Sequence, residues 1–509
     1  MLLNKEILIG IYNYIPTDII WTGSGSNNNW STNSNWNLKA PVEGNFLQFA
    51  GTTRLTPFNN LTIDTTYNGI TFNSGSGAFT LSGNRFVLNS GSIENKSSNT
   101  QTINNDIVLG SNSYAINCNT AAITLNGNIG GSGGITKTGS SILLLSGNNS
   151  YTGDTFINSG RVGVLNSNPL GTGNVYLNTP APDWAAALTI LQTAAPATVV
   201  INNPIYSSYV AGQGTLGLVM ASKSTIFNGP IILTNNSGIP NQNAVISLGS
   251  GSTVTFNGGI SGASTWKSVL VNIAIVVGAT NTTAILTGSP VIFDSPAVNF
   301  GFVGVTTGII AVSGNRFQTL RVINGSNVRC DVPLAINNDN ITFNPNGTNT
   351  INLNGNNQIF RNIQDGSPKC NIFNNSSTFA NLTANSAITY TYSGSISGNI
   401  NLIKTGVAVL NLSGVPALNI GPRYTGFTAI SAGNLIVYTL SSNPSNKVNY
   451  VNFQPTSLTV DFTTPPTIGD SFILLPARTV NLYPSVTLQN ASGRTASYNS
   501  TTSTLSIIS

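Results

Sequence analysis

The chain contains no histidine, and only 6% of its 509 residues carry a charge. Without histidine there is no Ser-His-Asp or Cys-His nucleophile system and no imidazole-ligated metal site. The charged fraction lies far below the usual quarter. The 19 basic residues are spread along the chain against 14 acidic ones, for a net +5. Binding a nucleic acid requires clustered Lys and Arg to neutralise phosphates, so no nucleic-acid partner is expected. The three cysteines, Cys118, Cys330 and Cys370, are too few for a disulfide framework and leave at least one thiol unpaired. They read as small buried apolar side chains. No run of about 18 apolar residues occurs, so no transmembrane helix is expected. The opening "MLLNKEILIGIYNYIPTDIIWTG" is interrupted by Lys5, Glu6, Asn13, Pro16 and Asp18 and lacks a small-residue cleavage site. It reads as a poor secretory signal.

What the chain does have is 40% hydrophobic residues, 52 glycines, and Asn, Ser and Thr in nearly every segment. Disorder calls for low hydrophobicity with high net charge, and neither holds here. Short apolar strings alternate with turn residues, as in "TIDTTYNGITFNSGSGAFTLSGNRFVLNSGSI" and in Ile123-Thr-Leu-Asn, where every second side chain is apolar. That period of two belongs to half-buried strands. The strings return at intervals of roughly 10 to 25 residues, which points to stacked β-coils rather than a helical array. Some 16 to 20 coils of roughly 20 to 25 residues would make a rod on the order of 80 to 95 Å long. A series of β-sandwiches is the alternative. Ala181 to Val200, "APDWAAALTILQTAAPATVV", carries local helix signals, but its phrasing continues the strands and it is read as strand. The expected organisation is an N-terminal cap with first coils over 1–50, a β-solenoid over 51–440 and a C-terminal β cap over 441–509 of hairpins such as "LTVDFTTPPTIGDSFILLPA". Caps are expected because solenoid ends expose unpaired edges.

One phrase is spelled twice. Gly134-Ile-Thr-Lys-Thr-Gly139, Leu145-Ser-Gly-Asn-Asn-Ser-Tyr-Thr-Gly153 and Asn158-Ser-Gly-Arg-Val162 recur, in order, between Asn399 and Val437. The second copy inserts six residues between its Leu-Ser-Gly and Tyr-Thr-Gly steps. These residues resemble the passenger-associated repeat of bacterial autotransporters, and "WTGSGSNNNWSTNSNW", Trp21 to Trp36, looks like the start of such passengers. The resemblance implies an all-β fold, a right-handed parallel β-helix (β-solenoid) with a small C-terminal β cap, displayed on a surface in structural or adhesive roles. The family's signal peptide and membrane barrel are not seen in this sequence, so a route other than self-export, or a place in a particle or filament, is expected. An Asn-rich chain would also suit a viral surface fibre.

The chemistry searched for is mostly missing. The acids are nearly all isolated, calcium-binding nonapeptides are absent, and "GSGGITKTG" lacks the spacing of a phosphate loop. The most charged window holds Arg321, Arg329, Asp331, Asp339, Arg361, Asp365 and Lys369. It reads either as a polysaccharide-cleaving groove with Asp331, Asp339 or Asp365 as acid and base, or as surface ion pairs; the second reading is preferred. Trp21, Trp30 and Trp36 would stack on sugars or, preferably, fill the mouth of the first coil. Lys137 and Lys404 resemble catalytic bases, but their repetition inside one phrase favours a turn role. Asn60, Asn148, Asn324 and Asn411 open Asn-x-Ser/Thr triplets, frequent by chance in this composition. No catalytic, cofactor or metal residues are therefore expected, and no cofactor.

The expected function is a non-enzymatic surface fibre, coat or filament subunit, extracellular or on a cell or virion. Its partners would be copies of itself as a homo-oligomer or polymer, or glycans. A carbohydrate-binding adhesin and, behind it, a polysaccharide lyase or hydrolase are the alternatives. Cys330 and Cys370, about two coils apart, are expected not to bond: stacked coils place them 9 to 10 Å apart along the axis, and a disulfide tolerates about 7 Å.

Overall fold

The structure is a computed structural model. It describes residues 18–509 apart from 167, 179–186, 191–197, 210–215, 222–223, 236–241, 249–250, 263–265, 274–281, 294–298, 344–346, 366–369, 413–422, 439–447, 475–478, 482 and 503. Contacts divide the chain into two units, Met1–Ser208 and Tyr209–Ser509.

Unit 1 is a stack of parallel coils. One sheet takes a strand from each successive coil: Asp18–Trp21, Phe46–Phe49, Gly69–Phe72, Ile93–Asn95, Ser113–Cys118, Gly134–Thr138, Thr155–Ile157, Val175–Asn178 and Ile205–Tyr209. A second runs through Thr65–Tyr67, Phe86–Leu88, Ile107–Leu109 and Ile129–Gly131. A third includes Gln101–Ile103, Ile123–Leu125, Ile142–Leu145 and Arg161–Val164. Every one of these pairings is parallel and in register: Ile70 faces Ile93, Ile107 faces Ile129, Ile135 faces Thr155. The offsets between partners give coils of 20 to 23 residues at these points.

The alternation read in the sequence becomes burial. Gln101–Ile103 and Ile123–Leu125 bury their first and third side chains and half-expose the middle one. Leu81, Ile103, Leu125, Leu145 and Val164 thereby stack as one inward column across five coils, each at most 1% exposed. A coil alone leaves such a face wet; stacked, each large aliphatic contributes about 2 kcal/mol of burial. Buried amides tie the corners: Asn95 donates to the carbonyls of Asn99, Ala121 and Ala122, the last two on the next coil.

Trp21, Trp30 and Trp36 lie inside the first coils. Trp21 meets Trp36 edge to face at 5.1 Å, Trp30 meets Tyr67 at 5.8 Å, and Trp36 Nε1 donates to the Trp30 carbonyl. At 0%, 0% and 4% exposure they offer no ring face to a sugar; they fill the first coils, as the preferred reading had it.

Unit 2 repeats the principle with longer and less even coils. Thr253–Phe256, Thr283–Leu286, Thr307–Ile310, Asn327–Cys330, Asn349–Asn352, Cys370–Asn374 and Ser395–Gly398 form one parallel sheet. Coil length ranges from 20 residues, where Gly308 faces Val328, to 31, where Ile260 faces Val291. The sense of pairing changes at Asn434–Tyr438. That strand is parallel to Val409–Leu412 but antiparallel to Val448–Phe453, which is antiparallel in turn to Ser457–Phe462. Ser471–Ile473 and Ala496–Asn499 flank Thr504–Ile507 antiparallel.

Among the described residues no α-helix occurs, only a short 3-10 turn at Asn33–Asn35. The ambiguous stretch 181–200 contains the strand Ala187–Ile190 and the start of Thr198–Ile201; the rest of it, like the opening 1–17, lies outside the described residues. All three cysteines are buried, and none is in a disulfide. Register explains why Cys330 and Cys370 stay apart. Cys370 sits over Asn349, one coil above Ser326, and is therefore offset from Cys330 by four residues as well as two coils. That separation is about 16 Å.

Candidate functional site

Lys137 occupies an inward position of the strand Gly134–Thr138, between Ile116 of the preceding coil and Ile157 of the next. It is fully buried. An ammonium in such a column is costly unless every proton finds an acceptor. Nζ donates to the carbonyls of Thr138 at 2.6 Å, Gly139 at 2.8 Å and Ser159 at 3.1 Å. Three donors meet three acceptors, two from its own turn and one from the next coil. Burial pulls the lysine down to about 8, so at neutral pH it carries its charge.

Two glycines make room. Gly139 adopts φ +77° and Gly160 φ +65°, a left-handed conformation that side chains disfavour. A Cβ at Gly160 would lie 2.4 Å from the Gly139 carbonyl oxygen and 2.9 Å from Nζ. Tyr151, buried in the same coil, shares a 2.7 Å hydrogen bond with Thr155.

The second copy reproduces this clamp. Lys404, fully buried between Ala384 and Ile430, donates to Thr405 at 2.5 Å, Gly406 at 2.7 Å and Ala432 at 3.3 Å. Burial lowers it, too, to about 8. Gly406 and Gly433 take φ +75° and +65°, a Cβ at Gly433 would again stand 2.9 Å from Nζ, and Tyr424 bonds Thr428 at 2.7 Å. Such an amine is saturated and enclosed. Among the described residues its acceptors are all backbone carbonyls, so the clamp staples a turn to the coil above it.

Asp331 and Asp339 are committed to different partners. Asp331 follows the strand Asn327–Cys330 and accepts from Arg329 Nε and Nη2 at 2.6 and 2.7 Å and from Asn354. Asp339 belongs to the strand Asn337–Phe343 of a different sheet, accepts from the Asn337 amide, and is pushed by burial up to about 7. The side chain of Asp365 lies outside the described residues. Among the described residues no group of three or more Cys, Asp or Glu is placed to hold a metal, and no helix is long and apolar enough to cross a membrane.

One feature was not foreseen from the sequence. A cleft of about 370 Å³ opens at one corner of unit 1, lined by Asn148, Asn149, Ser150, Asn168, Gly171, Thr172, Asn202 and Asn203. Its members span three coils and are residue types that fill loops everywhere in this chain. In the sequence only Asn148 among them stands out, as the start of an Asn-x-Ser triplet.

The passenger-associated-transport-repeat family matches residues 135–164 and 402–437, the two stretches that build the clamps. A search of curated proteins found no match. A search of solved structures also found none. The paired repeats and the parallel solenoid fit a β-helix protein similar to autotransporter passengers.

Proposed function

We propose that the protein is a non-enzymatic structural component whose solenoid packs sideways against copies of itself in a surface fibre or coat. The observation that carries this reading is an outward-facing stripe in unit 2. Ile226, Thr255, Ile285 and Ile309 follow one another in register on successive coils, half-exposed. Beside them runs the hydroxyl column Thr253, Thr283 and Thr307. A mostly apolar ladder with polar flanks suits lateral association better than it suits water. The lack of histidine and the separate commitments of Asp331 and Asp339 support a role without catalysis.

Light scattering after size exclusion of the full chain tests this. A multimer at micromolar concentration, reduced toward monomer by Ile285→Lys with Ile309→Lys, is expected. A monomeric wild-type protein would overturn the reading.

A further inference from the structure

The corner cleft of unit 1 has a composition that selects its ligand. We propose that it binds a short, neutral saccharide. The argument begins with its floor. Asn149 is 5% exposed: its Oδ1 accepts from the Ile129 amide at 2.8 Å and its Nδ2 donates to the Pro169 carbonyl at 2.7 Å. Asn203, also 5% exposed, donates to the carbonyls of Leu170, Gly171 and Gly173, the last at 2.7 Å. Each amide joins two coils, so the floor is fixed before any ligand arrives, and little ordering is needed on binding.

The rim is different. Asn148, Ser150, Asn168 and Thr172 are exposed. The side chains of Asn148, Ser150 and Asn168 make no hydrogen bond within the described residues, which leaves amide and hydroxyl groups turned to solvent. An amide offers donors and an acceptor, and a hydroxyl both; sugar hydroxyls demand that mixture. Among the described residues no charged side chain lines the cleft, so none of them balances a uronate, a sulfate or a phosphate. Its volume falls at the small end of ligand sites, about 300 to 1,000 Å³.

A second observation lies just downstream. The three segments that shape the cleft run, within two to five residues, into strands carrying Phe156, Tyr176 and Tyr206. These half-exposed rings stand in register and stack at 4.9 and 5.0 Å, tilted by 12° and 16°. Their inner faces are spent on one another. What is left for contact is a row of ring edges, an apolar wall where a saccharide leaving the cleft would lie.

The site is independent of lateral self-association, which rests on unit 2, so either can fail alone. Its test is calorimetry and ligand-observed saturation-transfer NMR on the full chain. The probes are neutral tetrasaccharides of glucose, mannose, galactose and N-acetylglucosamine, with tetragalacturonate as the charged control. At least one neutral probe should bind in the micromolar to low millimolar range. Asn148→Ala with Asn168→Ala should weaken it about tenfold, the loss of two ordinary hydrogen bonds. Tyr176→Ala should weaken it less. No neutral binding by the wild-type protein, preference for the uronate, or affinity unchanged in the folded double variant would each overturn the proposal. If the double variant fails to fold, saturation transfer on the wild-type protein decides, since it either finds a bound neutral probe or does not.

Discussion

The two repeat copies, residues 135–164 and 402–437, agree at the turn lysine and the tyrosine and differ in the length of chain between Leu-Ser-Gly and Tyr-Thr-Gly. Lys, Tyr and the left-handed glycines keep the same partners at nearly the same distances. Between Gly147 and Tyr151 the first copy has three residues, and these help line the cleft. Between Gly414 and Tyr424 the second has nine, six more, mostly outside the described residues. The turn lysine and the tyrosine therefore belong to the architecture, and the corner between them is where one coil is made to differ from another. A solenoid tolerates such corners because each coil is held only by its neighbours.

The sharpest way to break this comparison is to remove the clamp. Lys137→Ala leaves three half-buried carbonyls without their donor and a hole in the column, and Lys404→Ala does the same; each should cost about 3 kcal/mol in urea denaturation. Equal losses in the two copies support a common role, and a loss in only one would separate them. Next in size, Gly160→Ala and Gly433→Ala place a Cβ in a left-handed position against Nζ and carbonyl oxygens. About 2 to 3 kcal/mol is expected in the same assay.

A smaller effect comes from pH. Both lysines titrate near 8 when folded and near 10.5 when unfolded, so between these values the unfolded chain holds more protons. Stability should rise with pH from 8 to 9, by about 1 to 2 kcal/mol. Above 9 the trend reverses, because burial pushes Cys118 up to about 11 and raises Cys330, Tyr151 and Tyr424, groups the unfolded chain ionises first. Urea midpoints at pH 7.5, 8.2 and 9 measure the rise, and Lys137→Met with Lys404→Met should abolish it. The smallest effect, about 1 kcal/mol, belongs to Tyr151→Phe and Tyr424→Phe, which strip a partner from a buried threonine.

The fold was largely legible because a period of two over strings such as Ile123-Thr-Leu leaves few alternatives once the strings recur at coil length. The separation of Cys330 from Cys370 followed from the same arithmetic. The turn role of Lys137 and Lys404 was legible from repetition, but not their inward aim: a lysine normally reads as solvent-facing, and only the carbonyls of Thr138, Gly139 and Ser159, brought in by the turn and the next coil, make burial affordable. The cleft was not legible at all. Asn148, Asn168 and Asn203 meet only because coils of particular lengths stack, and in sequence they are indistinguishable from the asparagines of any other corner. Unequal coil lengths hid for the same reason: Ile260 and Val291 are partners across 31 residues, a register that no local pattern announces.

The central claim, that the repeated phrase is a buried staple, can be tested directly by brief acylation of the native protein with an amine-reactive reagent and peptide mapping. Lys39 is exposed, whereas Lys137 and Lys404 are enclosed and hydrogen-bonded three times each. The account predicts that Lys39 is labelled while Lys137 and Lys404 stay unmodified until the protein is denatured. Labelling of either repeat lysine at the rate of Lys39 in the folded protein would contradict it.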